Sequence, residues 1–443
     1  MQRIINRLLL SSLINRLLSG TIWSILGSLF SRIIMLCSNI VIAKLLGKDI
    51  YGEYSIINST TIMFSTLASF GLGQTATKVV AESWKSNPLF SGRVIAMSSV
   101  VAFITGSFVC LILIIFADYI SMNILQAPHI APLIRISSLT LIFGAINSSQ
   151  VGVLSGFEAF KEIAKYNLYA GIAAFPLISV SVWLGGLSGA IIALTLFQAL
   201  ICILFRYALI RKAKSLNITI KLSTWFSIPH LLWSHALPIA LSGLMVTPVF
   251  WIANAIIVNQ PNGYGELALL NAANQFALVL QFFGTLIAKP YLPILSSIKL
   301  STEAGKRTFI KTLLLFILFT SIPSILIGLI IYSFSDLFMS IYGAEFVIGA
   351  SVLRILIISS INILIANVLG YALTSLGKNW ISFLLNVLWA IIFILIFQLY
   401  FESDAFGYAK AHLISYSIHF ITSFIVLLFV LRNLSKTKTS NCW

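Results

Sequence analysis

Residues 39–82 read NIVIAKLLGKDIYGEYSIINSTTIMFSTLASFGLGQTATKVVAE, and the fold follows from this stretch. An apolar run ends at Leu46, a tight polar turn holds Gly47 to Asp49, and a second apolar run closes on a basic segment. A shortened echo occupies residues 254–296, NAIIVNQPNGYGELALLNAANQFALVLQFFGTLIAKPYLPILS. Both copies carry Tyr-Gly-Glu after the turn, Tyr51-Gly52-Glu53 and Tyr264-Gly265-Glu266, 213 residues apart. Both place an Asn near the end of the preceding run, Asn39 and Asn254. Two copies of one hairpin imply two lobes built on one plan.

Apolar residues make up 59% of the 443 and charged residues 9%, against about 45–50% and 25% in soluble domains. The apolar runs are about 20 residues long, enough to span roughly 30 Å of hydrocarbon. The fold class is therefore an all-α polytopic membrane protein. A net charge of +16 would suggest nucleic acid in a soluble protein. Here the cations sit in short loops and report orientation instead, so no nucleic-acid partner is expected. Cys37, Cys110, Cys202 and Cys442 show no metal-ligand spacing and read as packing residues.

Twelve spans can be drawn. The first six are residues 21–43, 51–74, 94–116, 132–154, 167–185 and 189–209; the second six are 231–258, 265–288, 310–331, 349–373, 380–400 and 406–431. Residues 1–20 form an amphipathic N-terminal segment in place of a cleavable signal peptide. Residues 21–209 and 231–431 are the two six-helix lobes, 210–230 the basic linker and 432–443 a basic tail. With the N-terminus in the cytoplasm, 22 of the 28 Lys and Arg fall on that side, and only Lys44, Lys48 and Lys410 on the other. That asymmetry places both termini in the cytoplasm.

The repeat extends further. PLIRISSLTLIFGAINSSQVGVLSGFEA (132–159) and SVLRILIISSINILIANVLGYALTSLGK (351–378) align Arg135 with Arg354. A six-plus-six arrangement of parallel repeats implies a pathway between the lobes, around a central cavity. Gly71-Leu72-Gly73, Gly152-x-x-x-Gly156, Pro238 and Pro248 suit either close packing or a hinge.

An Arg within a span costs about 2.5–3.5 kcal/mol on insertion scales and should face protein or water. Arg32, near the middle of the first span, reads as a cavity cation for an anionic group, or alternatively as a buried partner for a backbone carbonyl. Arg135 and Arg354 lie one turn inside their span ends, where snorkelling also accounts for them. Amides concentrate in the first two spans of each lobe: Asn39, Asn58, Gln74, Asn254, Asn271, Asn274, Gln275 and Gln281. Singly, each fits an interhelical hydrogen bond; as a group they suggest a hydrophilic passage for sugar hydroxyls. His235 could titrate near neutral pH or pack quietly in the seventh span. All twelve Asp and Glu fall in loops or near span ends. A cation-coupled drug exporter usually needs a carboxylate deeper in the bilayer, so an anionic cargo is favoured. No phosphate-binding loop and no catalytic signature occurs, so no enzyme activity, metal or cofactor is expected.

The first span followed by LLGKDIYGEYS (45–55), the ASFGLGQTATK exit (68–78), GVLSGFEAFK (152–161) and IYGAEF (341–346) resemble the Wzx-type O-antigen flippases. These belong to the multidrug/oligosaccharidyl-lipid/polysaccharide exporter superfamily. The resemblance implies a flippase moving undecaprenyl-diphosphate-linked oligosaccharide between leaflets of the bacterial inner membrane by alternating access. It implies membrane lipid as surroundings, with a polysaccharide polymerase and a chain-length regulator as candidate protein partners. It favours Arg32 as the cavity cation. A multidrug exporter of the same superfamily and a lipid II flippase are the alternatives.

Overall fold

The computed structural model describes residues 29–30, 32–229, 232, 236–237, 246–288, 291–298, 300, 302–400 and 402–436. The amphipathic segment 1–20 and the tail beyond Lys436 lie outside them. Every regular element among the described residues is helical, and nine helices there are long and apolar enough to cross a membrane. The chain divides into two compact units, Met1–Trp251 and Ile252–Trp443.

The first unit contains α1 (residues 32–46), α2 (Lys48–Ser69), α3 (Leu72–Ser83), α4 (Pro88–Tyr119), α5 (Ala131–Gly156) and α6 (Phe160–Ser215). Gly47 (φ 76°, ψ 172°) makes the one-residue turn between α1 and α2, a conformation that a side chain strongly disfavours. Tyr51 hydroxyl then donates back to Asn39 Oδ1 across 3.4 Å, tying the hairpin together. Two left-handed residues, Phe70 and Gly71, break the second expected span, and the chain resumes as α3. Gly152 takes up the contact between α3 and α5: a Cβ there would lie 2.1 Å from the Gly73 carbonyl oxygen. Thr77 Oγ1 donates to both Gly73 O and Gly152 O at this crossing. The small residues of the fourth span serve close packing.

The 56-residue α6 exceeds any single bilayer crossing. Its backbone breaks at Gly186 (φ 53°, ψ −132°), giving two antiparallel limbs that match the fifth and sixth expected spans. Gly189 lies so close to Ser181 that a Cβ would meet its carbonyl oxygen at 1.8 Å. At the far end Tyr166 and Tyr207 pack edge to face, their centroids 6.2 Å apart. The second limb continues to Ser215, six residues past the expected span end at 209.

α7 (Thr247–Val258) is the α-helix described at the end of the seventh expected span. The second unit continues with α8 (Gly263–Ala288), α9 (Tyr291–Ser297), α10 (Glu303–Ser333), α11 (Ser335–Ser340), α12 (Ala350–Ser375), α13 (Asn379–Tyr400) and α14 (Ala405–Lys436). Tyr291 stacks on Phe316 at 3.9 Å within a core that includes Phe309, Leu313 and Leu369. Glu266, of the second Tyr-Gly-Glu, accepts a bond from Ala405 N at 3.2 Å, and Asp404 accepts one from Gly407 N at 2.6 Å. Carboxylates thus satisfy the free N–H groups that begin α14.

Candidate functional site

A cavity of about 230 Å³ lies inside the first unit, walled by α1, α2 and both limbs of α6. On α1 the lining residues Met35, Ser38, Asn39 and Ile42 follow the three-and-four spacing of one helical face. Arg32 precedes Met35 by three residues, so it continues that face beyond the lining, and it is exposed. α2 contributes Tyr54 and Asn58, while the first limb of α6 contributes Asn167 and Gly171. The rest of the wall is apolar, and no lining residue carries a carboxylate.

The polar groups in this cavity differ in how committed they are. Asn39 is buried; its Nδ2 donates to Met35 O at 2.8 Å and its Oδ1 accepts from Tyr51. Ser38 Oγ is buried and finds no hydrogen-bond partner among the described residues. A buried hydroxyl in that position costs free energy until a ligand or water satisfies it. Asn58 and Asn167 are half-buried. Amides present both donors and an acceptor, the mixed set that hydroxyl-rich molecules require. The geometry therefore offers neutral hydrogen bonding in the cavity and one cation on the same helical face.

Asn167 stands outside the first two spans of each lobe, where the sequence concentrates its amides. Its signal was an amide at the start of an apolar span, one turn before Gly171 on the same face.

Gln74 lies elsewhere. It lines a groove of about 340 Å³ with Thr77, Asn147, Ser148 and Gly152, beside the α3–α5 crossing. None of these residues lines the first cavity.

In the second unit, Asn271, Asn274 and Gln275 are half-buried, and Leu278 and Gln281 continue the same partly open stripe of α8. The intervening Ala272, Ala273, Phe276, Ala277 and Leu280 are buried. Asn271 Nδ2 donates to Leu267 O at 3.3 Å, and Gln281 Nε2 to Ser360 Oγ at 3.0 Å. Asn254 is half-buried on α7, and His235 falls outside the described residues. Arg135 and Arg354 each meet a carboxylate: Arg135 Nη2 is 2.5 Å from Asp118 Oδ2, and Arg354 pairs with Asp336. The described residues hold no cluster of His, Cys, Asp and Glu suited to a metal ion.

Comparison with known proteins gives a consistent result. Residues 17–299 match a family described as "Polysaccharide biosynthesis protein". A Shigella flexneri protein named "Putative O-antigen transporter" is 24% identical over 429 residues, covering 93% of this chain and 96% of its own length. The inner membrane protein EpsE of Ralstonia nicotianae, named for EPS I polysaccharide export, is 26% identical over 165 residues. That match spans 37% of each chain, and the match to EpsE of Ralstonia solanacearum spans 41% of the relative's length. Among solved structures, an inward-facing multidrug resistance MATE family transporter of the MOP superfamily superposes with a TM-score of 0.78. It shares 16% identity, with 92% of this chain and 96% of that one covered. A MOP superfamily transporter from Pyrococcus furiosus, whose binding pocket is described as reversed in polarity, gives 0.66 at 15% identity. These likenesses establish the MOP superfamily fold.

Proposed function

Starting from the fact that the chain belongs to the polysaccharide biosynthesis protein family, we propose that it is a flippase for lipid-linked oligosaccharide. Its cargo is an undecaprenyl-diphosphate-linked repeat unit of the O-antigen type. The cargo passes from the cytoplasmic to the periplasmic leaflet of the inner membrane by alternating access, and both termini face the cytoplasm. A polysaccharide polymerase and a chain-length regulator would receive the product.

The observation that carries this reading is the cavity of α1, α2 and α6, with three amides and no carboxylate in its wall. Arg32 extends the α1 face of that cavity. A diphosphate and several sugars cannot cross hydrocarbon unaided, because each unpaired polar group costs several kcal/mol. Asn58, Asn167 and Ser38 replace lost hydration around the sugars while Arg32 engages the diphosphate. The half-open amide stripe of α8, with Asn271, Asn274 and Gln275, serves sugars from the second unit, and Asn254 and His235 belong to the same candidate set. Arg135 and Arg354 hold carboxylates and act in structure.

Cation-coupled multidrug export is the second reading, supported by the fold shared with multidrug transporters. A carboxylate-free cavity wall argues against it. A lipid II flippase would use the same chemistry on a different glycan. The deciding experiment is a deletion strain complemented with wild-type or Arg32→Ala protein. Loss of surface polysaccharide restored only by the wild type supports the flippase. Unchanged polysaccharide with raised drug susceptibility supports the exporter.

A further inference from the structure

The base of the α6 hairpin carries a second cavity that shares no lining residue with the first. It measures about 320 Å³ and lies between the start of one limb and the end of the other. Lys161 and Lys165 contribute from the first limb, Arg211 and Lys212 from the second, with Tyr166 between them. Glu162, the one carboxylate in the wall, lies 3.6 Å from Lys212. Lys161 already has a partner; Lys165, Arg211 and Lys212 against Glu162 leave this small cavity with a net formal charge of two. Converging like charges repel one another unless an anion joins them.

Topogenic charge alone would scatter cations over loops and helix ends, and Lys212 also suits the C-terminal end of the helix dipole. Neither reason requires cations from two antiparallel limbs to converge on one cavity. The aromatic side chains add an independent observation. Lys165 Nζ sits 6.0 Å from the Tyr166 ring and 5.5 Å from the Tyr169 ring, within cation–π reach. Tyr166 packs edge to face with both Tyr169 and Tyr207, and the latter two are exposed. Exposed tyrosines at the end of an apolar helix mark the depth of lipid headgroups. At the corresponding start of α13 a single cation, Lys378, precedes Asn379-Trp380-Ile381-Ser382.

We propose that this groove binds the phosphate of a lipid headgroup, held by Lys165, Arg211 and Lys212 at the membrane surface. The chemistry is that of a lipid-anchored phosphate, supplied either by bulk anionic phospholipid or by a polyprenyl diphosphate. Basic pockets between membrane helices bind such headgroups. Lys161 precedes Asn167 of the first cavity by six residues, roughly 9 Å along the helix axis. A lipid held here would therefore stand beside the amide-lined cavity. The proposal rests on the groove itself and holds whichever cargo the protein moves.

The test uses full-length protein purified in detergent and titrated separately with phosphatidylglycerol, phosphatidylcholine and undecaprenyl diphosphate, with retained lipid read by native mass spectrometry. Wild-type protein should retain one or both phosphate-anionic lipids over phosphatidylcholine. Lys165→Gln/Arg211→Gln should weaken that retention by about tenfold or more, each cation being worth roughly fivefold near an anionic surface. Lys165→Arg/Arg211→Lys and Lys410→Gln should retain it. Binding by phosphatidylglycerol alone, or by undecaprenyl diphosphate alone, names the source. A double Gln variant that binds like wild type overturns the proposal. In wild-type protein, phosphatidylglycerol or undecaprenyl diphosphate should also shield Lys165 from amine acylation, and no shielding by either overturns it independently of any variant.

Discussion

Arg135 meets Asp118 at 2.5 Å between the start of α5 and the end of α4, and Arg354 meets Asp336 in the same manner in the second unit. The two pairs are separated by 17 and 18 residues along the chain, so the repeat preserves an ion pair as well as a sequence pattern. Each side chain is roughly half exposed, between 38% and 58%. Pairs of that kind stabilise by about 1 kcal/mol or less. Arg135→Ala or Arg354→Ala should therefore lower the unfolding temperature slightly and leave polysaccharide export near normal. Thermal unfolding in detergent and surface polysaccharide staining would check this. Abolished export in a variant that still inserts would return the arginines to the substrate path.

Gly152 and Gly185 should respond in opposite ways to the same change. A Cβ at Gly152 meets backbone at 2.1 Å, whereas at Gly185 nothing lies within 4 Å. Backbone cannot yield as a flexible side chain can, so Gly152→Ala should destabilise by about 1–3 kcal/mol or more. Gly185→Ala should be close to neutral. Folded yield and unfolding temperature measured side by side would separate them.

The two Tyr-Gly-Glu copies carry glutamates with different work. Glu266 accepts from Ala405 N at the start of α14, while Glu53 lies 3.0 Å from the exposed His129 imidazole. Removing a cap costs about 0.5–2 kcal/mol, and an exposed pair about 0–1 kcal/mol. Glu266→Ala should therefore lose more stability than Glu53→Ala. Equal losses would mean that the motif is held for some other reason.

Within the first unit, the amides of one cavity should matter and the amide of the other groove should not. Asn58→Ala/Asn167→Ala should cut polysaccharide export by about thirtyfold at unchanged membrane levels, as expected when roughly two net hydrogen bonds of about 1 kcal/mol each are lost. Gln74→Ala should export normally, since Gln74 lines the α3–α5 groove. The reverse pattern would move the passage to that groove.

The fold was legible because hydrophobic length is a strong signal in a bilayer, where backbone groups must be satisfied within each helix. The break at Gly186 was readable as a gap between two apolar runs, and the hairpin turn at Gly47 as polar residues between them. The division of the second span at Phe70 and Gly71 was less so, because a left-handed Phe has no sequence signature. The site was only partly legible. Periodicity put Asn39 on a helix but could not say that Asn167, 128 residues later, would share its cavity. The acidic partners of Arg135 and Arg354 were visible as residues near span ends, but spacing in sequence did not disclose pairing across a loop.

The central claim, that a cationic and amide-lined path carries a lipid-linked oligosaccharide, is tested most directly by translocation in proteoliposomes. Undecaprenyl-diphosphate-linked oligosaccharide extracted from the parent strain would be placed in one leaflet, and its arrival in the other read by accessibility to a glycosidase. Wild-type protein should move it, and Arg32→Ala should slow it by about tenfold or more, the loss expected from removing one charge-assisted contact of roughly 1.5–3 kcal/mol. Translocation by Arg32→Ala at the wild-type rate, or transport of a cationic drug with none of the lipid-linked oligosaccharide, would contradict the account.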